Sequence, residues 1–310
     1  MKKSLVYALL ALASVIWGVS FIITKELFRT EPHITVFVIL TFRLLLATAV
    51  TIPALLLSRQ LEPVKKGDLK WFLLLALLEP FIYSICETSG VQLVSGSMAS
   101  IVVATIPLFV PFGMAVAYKE KVRAVTLVGI VLSLVGLAVM LLPGDSGNLD
   151  ANPAGLAWLA GAVLTAVFFT IVLVKLVDRY RPLTITAYQN LFGSLYFIPI
   201  MLLFDGENLP LLSYSGKMIA MLLVLGIFCS TVAYVCYNVG VAKLGASAAC
   251  IFTNVIPVFS LIAALLIGQE QLSWSKPVGM AVVIAGVVLA QIELRNKKKE
   301  LRNTDCPPKS

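Results

Sequence analysis

The chain has 310 residues, of which 59% are hydrophobic and 13% charged, with a mean hydropathy of +0.97. That balance cannot be arranged as an apolar core under a wetted surface, so a soluble enzyme or soluble binding module is excluded and an integral membrane protein is expected. The net charge of +8 invites a nucleic-acid reading, which is the weaker one because the basic residues are sorted between loops rather than gathered on a domain.

A helix rising about 1.5 Å per residue needs about 20 mostly apolar residues to cross a hydrocarbon layer of roughly 30 Å. Ten such spans occur, at 4–24, 34–57, 71–91, 97–116, 124–142, 154–173, 185–204, 218–237, 246–267 and 277–292. The gaps are short, so no sizeable soluble domain fits between them. Lys2 and Lys3 before an apolar run resemble a signal peptide, but the run outlasts an h-region and lacks a small-residue cleavage site, so it is read as the first span. The cysteines at 86, 229, 236, 250 and 306 show no C-x-x-C spacing. Neither a disulfide framework nor a metal site is indicated.

With the N-terminus in the cytoplasm, 19 of the 24 Lys and Arg fall on the inner side, four (Lys25, Arg29, Lys217 and Lys276) on the outer side, and Arg43 lies inside the second span. This asymmetry predicts cytoplasmic N- and C-termini. The basic tail, 294–310, would then face anionic lipid of the inner leaflet.

Shifting the chain by 150 residues superposes its halves without a gap across the fourth and fifth spans. Pro107 meets Pro257, Glu120 meets Glu270, Gly129 meets Gly279 and Gly136 meets Gly286, with Cys86, Gly90, Ser97 and Phe109 also meeting identical residues. Five spans per half is an odd number, so the second copy enters the membrane from the opposite side. Inverted repeats are characteristic of secondary transporters that bind cargo near the midplane. Pro107 and Pro257 are kink or gating candidates, because each removes a backbone donor in mid-span. The paired glycines suit close helix packing, and the two Glu suit helix ends.

The segments SGSMASIVVATIPLFVPFGMAVAYKEKVRAVTLVGIVLSLVGLAVM and GASAACIFTNVIPVFSLIAALLIGQEQLSWSKPVGMAVVIAGVVLA, with Trp17-Gly18, Ser20-Phe21 and Phe42-Arg43, resemble the twice-occurring EamA domain of the drug/metabolite transporter superfamily. The resemblance covers nearly the whole chain to about residue 292. It implies an all-α integral membrane protein of ten helices in two inverted repeats, a central cavity, and export of amino acids, other metabolites or drugs. The repeats are placed at 1–143 and 154–293, joined by an outer loop at 144–153. The sixth span, GAVLTAVFFTIVLVK, lacks the Trp-Gly pair of the first.

An ionisable group at mid-membrane costs on the order of 3 kcal/mol on insertion scales and is a functional hypothesis by default. Arg43, Glu79 and Glu87 are the three strongest. The rise per residue puts Arg43 at a depth between the two Glu, so an ion pair to one of them is expected, leaving the other for function. Glu79, Tyr83 and Glu87 follow at i, i+4 and i+8 along one stripe beside Pro80. In the second half Tyr234, Tyr237, Asn238 and Asn254 are the neutral cavity candidates, with Gln189, Asn190 and Thr253 as further polar groups. Trp17 and the pair Phe168-Phe169 are candidates for contact with apolar cargo.

The expected function is a secondary transporter of small amphipathic metabolites in the bacterial inner membrane, working as monomer or homodimer by alternating access. No metal, cofactor or nucleic-acid partner is expected, and protons are the coupling ion that a membrane-buried carboxylate suggests. A membrane-embedded enzyme competes poorly. The single histidine, His33, is in a loop, no G-x-S-x-G or H-E-x-x-H occurs, and residues eight apart on a helix are about 12 Å apart. An ATP-driven pump lacks a Walker sequence. A passive channel stays open as an alternative.

Overall fold

The computed structural model describes residues 3–118, 128–129, 131–132, 135–136, 139, 152–269, 274–286 and 288–289. Apart from helical residues between 128 and 139, these form nine helical rods: α1 (Lys3–Thr30), α2 (Val36–Leu57), α3 (Leu69–Leu93), α4 (Gly96–Ala117), α5 (Pro153–Val177), α6 (Pro182–Asp205), α7 (Gly216–Leu244), α8 and α9 (Ser275–Gly286). α8 is a composite of Ala246–Cys250, Ile251–Val255 and Ile256–Leu266. Among the described residues, the first seven rods are long and apolar enough to span a membrane. Most of the fifth expected span, Glu120, Glu270, most of the 144–153 loop and the basic tail lie outside the described residues.

Rod ends are set by side chains that satisfy the first free amides. Thr35, Ser95, Asn152 and Ser215 cap α2, α4, α5 and α7 by accepting from backbone N–H groups at 2.9–3.3 Å. Gly245 turns the chain from α7 into α8 at φ 86°, a conformation that disfavours any side chain.

The interior of four rods is irregular, and the irregularities follow the 150-residue repeat. In α3 the ring of Pro80 disfavours helical geometry for the residue before it, and Glu79 is extended at φ −141°, ψ 118°. Its equivalent in α7 is a π-helical segment, Val224–Val232. α4 breaks into Gly96–Val103 and Ile106–Tyr118 just before Pro107. α8 passes through a 3-10 segment, Ile251–Val255, just before Pro257. In each, a threonine hydroxyl takes a carbonyl three residues back: Thr105 to Val102 and Thr253 to Cys250, both at 2.7 Å. Both prolines thus stand in the first turn of a new helical segment, where a missing N–H costs nothing.

The repeats interlock. α1 packs on α7, where Leu10 covers Gly240, and α5 packs on α3, where Leu159 covers Gly90. A Cβ on Gly240 would stand 2.3 Å from Leu10 Cδ2, and one on Gly90 would stand 2.5 Å from Leu159 Cγ. α2 lies along α6. The Cβ of any other residue at Gly136 would approach Gly279 O to 2.8 Å, so this glycine serves backbone approach.

Candidate functional site

The interrupted rods enclose a cavity of about 80 Å³, room for roughly six waters or a small cargo. It draws residues from seven rods, α1 to α5, α7 and α8. Arg43, Glu79, Tyr83 and Glu87 supply its charged and phenolic side. Trp17, Phe21, Phe169, Tyr234 and Tyr237 supply an aromatic wall, and Ser20, Thr170, Thr253 and Cys250 add small polar groups.

Each ionisable side chain is held by a hydroxyl. Tyr234 donates to Glu79 Oε1, Arg43 Nε donates to Ser230 Oγ, and Tyr83 donates to Glu87 Oε1 at 2.8 Å. The break at Glu79 also frees its main-chain carbonyl, which accepts from Gln189 Nε2 on α6 at 2.9 Å. Glu79 is 3% exposed and Arg43 6%, so hydrogen bonds within the protein, not bulk water, hold both groups.

The expected ion pair between Arg43 and one glutamate is corrected. Among the described residues Arg43 forms an ion pair with neither. The guanidinium Nε is engaged by Ser230, and each carboxylate by a tyrosine. Depth along the helix axis placed these groups at compatible heights, but the partner hydroxyls come from rotations that depth does not contain.

The aromatic wall is ordered by Trp17. Its Nε1 donates to Cys229 O at 3.3 Å, in the π-helical segment of α7, and its ring meets Tyr234 at 5.1 Å and Tyr237 at 5.4 Å. Those are edge or tilted contacts in the favourable range for ring pairs. Neighbouring Gly18 permits this, because a Cβ there would sit 2.8 Å from Ile256 O.

Of the expected cavity residues, Trp17, Arg43, Glu79, Tyr83, Glu87, Tyr234 and Tyr237 converge on one space. Asn238 and Asn254 do not line it. Asn238 lies about 100° round α7 from Tyr237, where it is fully buried and donates to Thr186 Oγ1 on α6 at 3.0 Å. Asn254 follows cavity-lining Thr253 in a 3-10 turn that swings successive residues by about 120°. It is buried, and neither of its amide atoms has a partner among the described residues. The pair Phe168-Phe169 splits, with Phe169 on the cavity and Phe168 59% exposed on the outer surface. Pro107 and Pro257 are not on the cavity; their neighbours Ile106 and Ile256 are. Ser230, the partner of Arg43, was not among the expected residues, and a lone serine in an apolar span carries no periodic signal to find it by.

Two polar clusters tie the rods together at opposite ends. At the end where α1 starts, Asp68 binds Arg179 at 2.7 Å and accepts from the Tyr180 hydroxyl at 3.0 Å, while Glu62 accepts from Arg181 N at 2.7 Å. Burial raises the Tyr180 phenol above its ordinary pKa, keeping it a donor. At the opposite end Glu26 binds Lys217 at 2.7 Å and Arg29 at 3.0 Å, and Glu31 accepts from Ser213 Oγ at 2.5 Å. The 150-residue shift carries 26–31 onto 176–181 and 213–217 onto 63–67. Glu62 and Asp68 flank that second stretch, so the two clusters join equivalent regions of the repeats without matching residue for residue, with an acid on α1 at one end and a base after α5 at the other.

The EamA-like transporter family model matches residues 4–142 and 153–291. The uncharacterized transporter YetK of Bacillus subtilis is 29% identical over 307 residues, covering 96% of this chain and 89% of that protein. An uncharacterized transporter of Archaeoglobus fulgidus is 26% identical over 289 residues, covering 93% of this chain and 98% of its own. A crystal structure at 18% identity aligns with a TM-score of 0.65, over 90% of this chain and 97% of its own, which establishes a shared fold. Two matched repeats, an all-helical membrane architecture and a cavity built between the repeats agree: this chain belongs to the EamA-like transporter family.

Proposed function

We propose that the protein is a secondary transporter of small zwitterionic amphipathic metabolites, of the amino-acid class, working by alternating access around the cavity. The observation that carries this reading is the grouping of a guanidinium, two carboxylates and an aromatic wall around one space, contributed by both repeats. Arg43 suits a cargo carboxylate, since its planar fork offers paired donors. Glu87 and Glu79 suit an ammonium group, and Trp17 with Tyr234 and Tyr237 suits an apolar or aromatic side chain.

The two end clusters supply the gates. Opening toward one side requires the latch at that end to part while the other holds, and the repeated breaks before Ile106 and Ile256 give the flanking segments somewhere to pivot. The surrounding basic residues favour an inner-membrane orientation with both termini cytoplasmic, and the family resemblance favours outward transport.

The test is a thermal-shift screen of the purified protein with amino acids and with analogues lacking either the carboxylate or the amine, followed by counterflow in proteoliposomes. Stabilisation by intact amino acids beyond either analogue, with saturable counterflow, is expected. Equal responses to all three would remove the zwitterion assignment, and non-saturable flux would favour a channel.

A further inference from the structure

Glu79 borders a second cavity as well as the first. This space, of about 10 Å³, lies between α2, α3, α6 and α7 and is bordered by Arg43, Glu79, Ser84, Thr186, Gln189 and Ser230 among others. It has room for one water. Two acceptors at it have no hydrogen-bond partner among the described residues, Glu79 Oε2 and Gln189 Oε1, and both residues are only 3% exposed. Leaving such oxygens unpaired carries the full cost of their desolvation. A single occupant that donates to both removes that cost.

We propose that this small cavity is a proton-exchange site, in which one water bridges Glu79 Oε2 and Gln189 Oε1 and delivers a proton to the carboxylate. The O–H bond of the hydrated proton breaks as one to Oε2 forms, the water stays behind, and its remaining hydrogen bond runs to the Gln189 amide oxygen. Release reverses these steps. Gln189 is a positioning residue, fixed by its other amide atom, since Nε2 donates to the Glu79 carbonyl at 2.9 Å. A metal cation is the poorer occupant, because the Arg43 guanidinium borders the same space.

The charged and titratable groups around the two cavities that Glu79 borders are Arg43 from α2, Tyr83 and Glu87 from its own rod, Tyr234 and Tyr237 from α7, and Cys250 from α8. α5 and α6 bring neutral side chains. Glu79 thus joins the cargo cavity, through the oxygen held by Tyr234, to a separate proton compartment. Its use in coupling rests on the transporter reading; the site itself is testable without cargo.

The full chain reconstituted in lipid is titrated with acid while the protonated-carboxyl C=O stretch is followed by infrared difference spectroscopy. One component is expected to disappear in Glu79→Gln and to move in Glu79→Asp. In Gln189→Leu the same component moves to higher frequency, as an O–H that has lost its acceptor chain requires. Glu87→Gln leaves it in place. A spectrum unchanged by both Glu79 variants overturns the proposal, as does a Glu79 component whose frequency ignores Gln189→Leu. Replacing choline chloride by sodium chloride at constant pH is the third arm. Loss of the component there makes the occupant a sodium ion and overturns the proton assignment.

Discussion

The Tyr234 hydroxyl donates to Glu79 Oε1 across the interface between the two repeats, joining α7 to the point where α3 is broken. Tyr234 lines the cargo cavity, and Glu79 Oε2 has no hydrogen-bond partner among the described residues. Tyr234→Phe therefore strips a buried carboxylate of a hydrogen bond worth about 1.5–3 kcal/mol. A loss of that size in thermal or denaturant unfolding is expected. Tyr83→Phe, whose partner Glu87 lies on the same rod four residues on, should cost less.

Gly18 lets α1 meet α8 where Pro257 begins a new segment. Gly18→Ala places a Cβ 2.8 Å from Ile256 O and 2.9 Å from Phe259 Cβ, and neither backbone nor Cβ can rotate away. We expect destabilisation of about 1–3 kcal/mol, with Trp17 displaced from Tyr234 and visible as a change in Trp fluorescence. Gly67→Ala, with nothing within 4 Å, is the control and should be silent.

The two buried asparagines make opposite predictions. Asn238→Leu removes a donor to Thr186 on the neighbouring rod together with an Oδ1 that has no partner among the described residues, and should cost about 0.5–1 kcal/mol. Asn254→Leu removes two amide atoms that have no partner among the described residues, so it should be neutral or stabilising. Paired unfolding measurements decide this, and equal losses would show that Asn254 has a partner in the working protein.

The latches are open to a sidedness assay. In a variant keeping only Cys250, which lines the cavity, an impermeant maleimide reports access from each side of oriented vesicles. Exposed ion pairs are worth about 0.2–1 kcal/mol, and here one partner of each is nearly buried: the Glu26 side chain is 10% exposed and that of Asp68 9%. Lys217→Gln should raise labelling from the face holding the Glu26 cluster by roughly 2–5-fold, and Asp68→Asn should raise it from the other. The same change from either variant would show that the clusters do not gate opposite sides.

Hydropathy and self-comparison together carried the architecture. An apolar window of membrane length has few other ways to satisfy its backbone, and coincident Pro, Glu and Gly at a constant offset of 150 reveal duplication without knowledge of contacts. The pre-proline position of Glu79 likewise favours its extended backbone, although Ile256 before Pro257 stays helical. The ionisable candidates stood out for the same reason, since charge in hydrocarbon is costly enough to demand a role.

What the linear sequence determined, then, was membrane class, repeat and the small set of charged and aromatic residues from which a site had to be made. Only the tertiary structure decided who meets whom. Ser230 rather than a glutamate holds Arg43, two tyrosines from different repeats hold the carboxylates, Trp17 orders the aromatic wall, and Asn238 turns to α6. Helical periodicity sets the angle of a side chain about its own axis, but partner choice depends on how rods from opposite repeats are rotated and broken. The breaks in α3, α7 and α8 reset that angle midway.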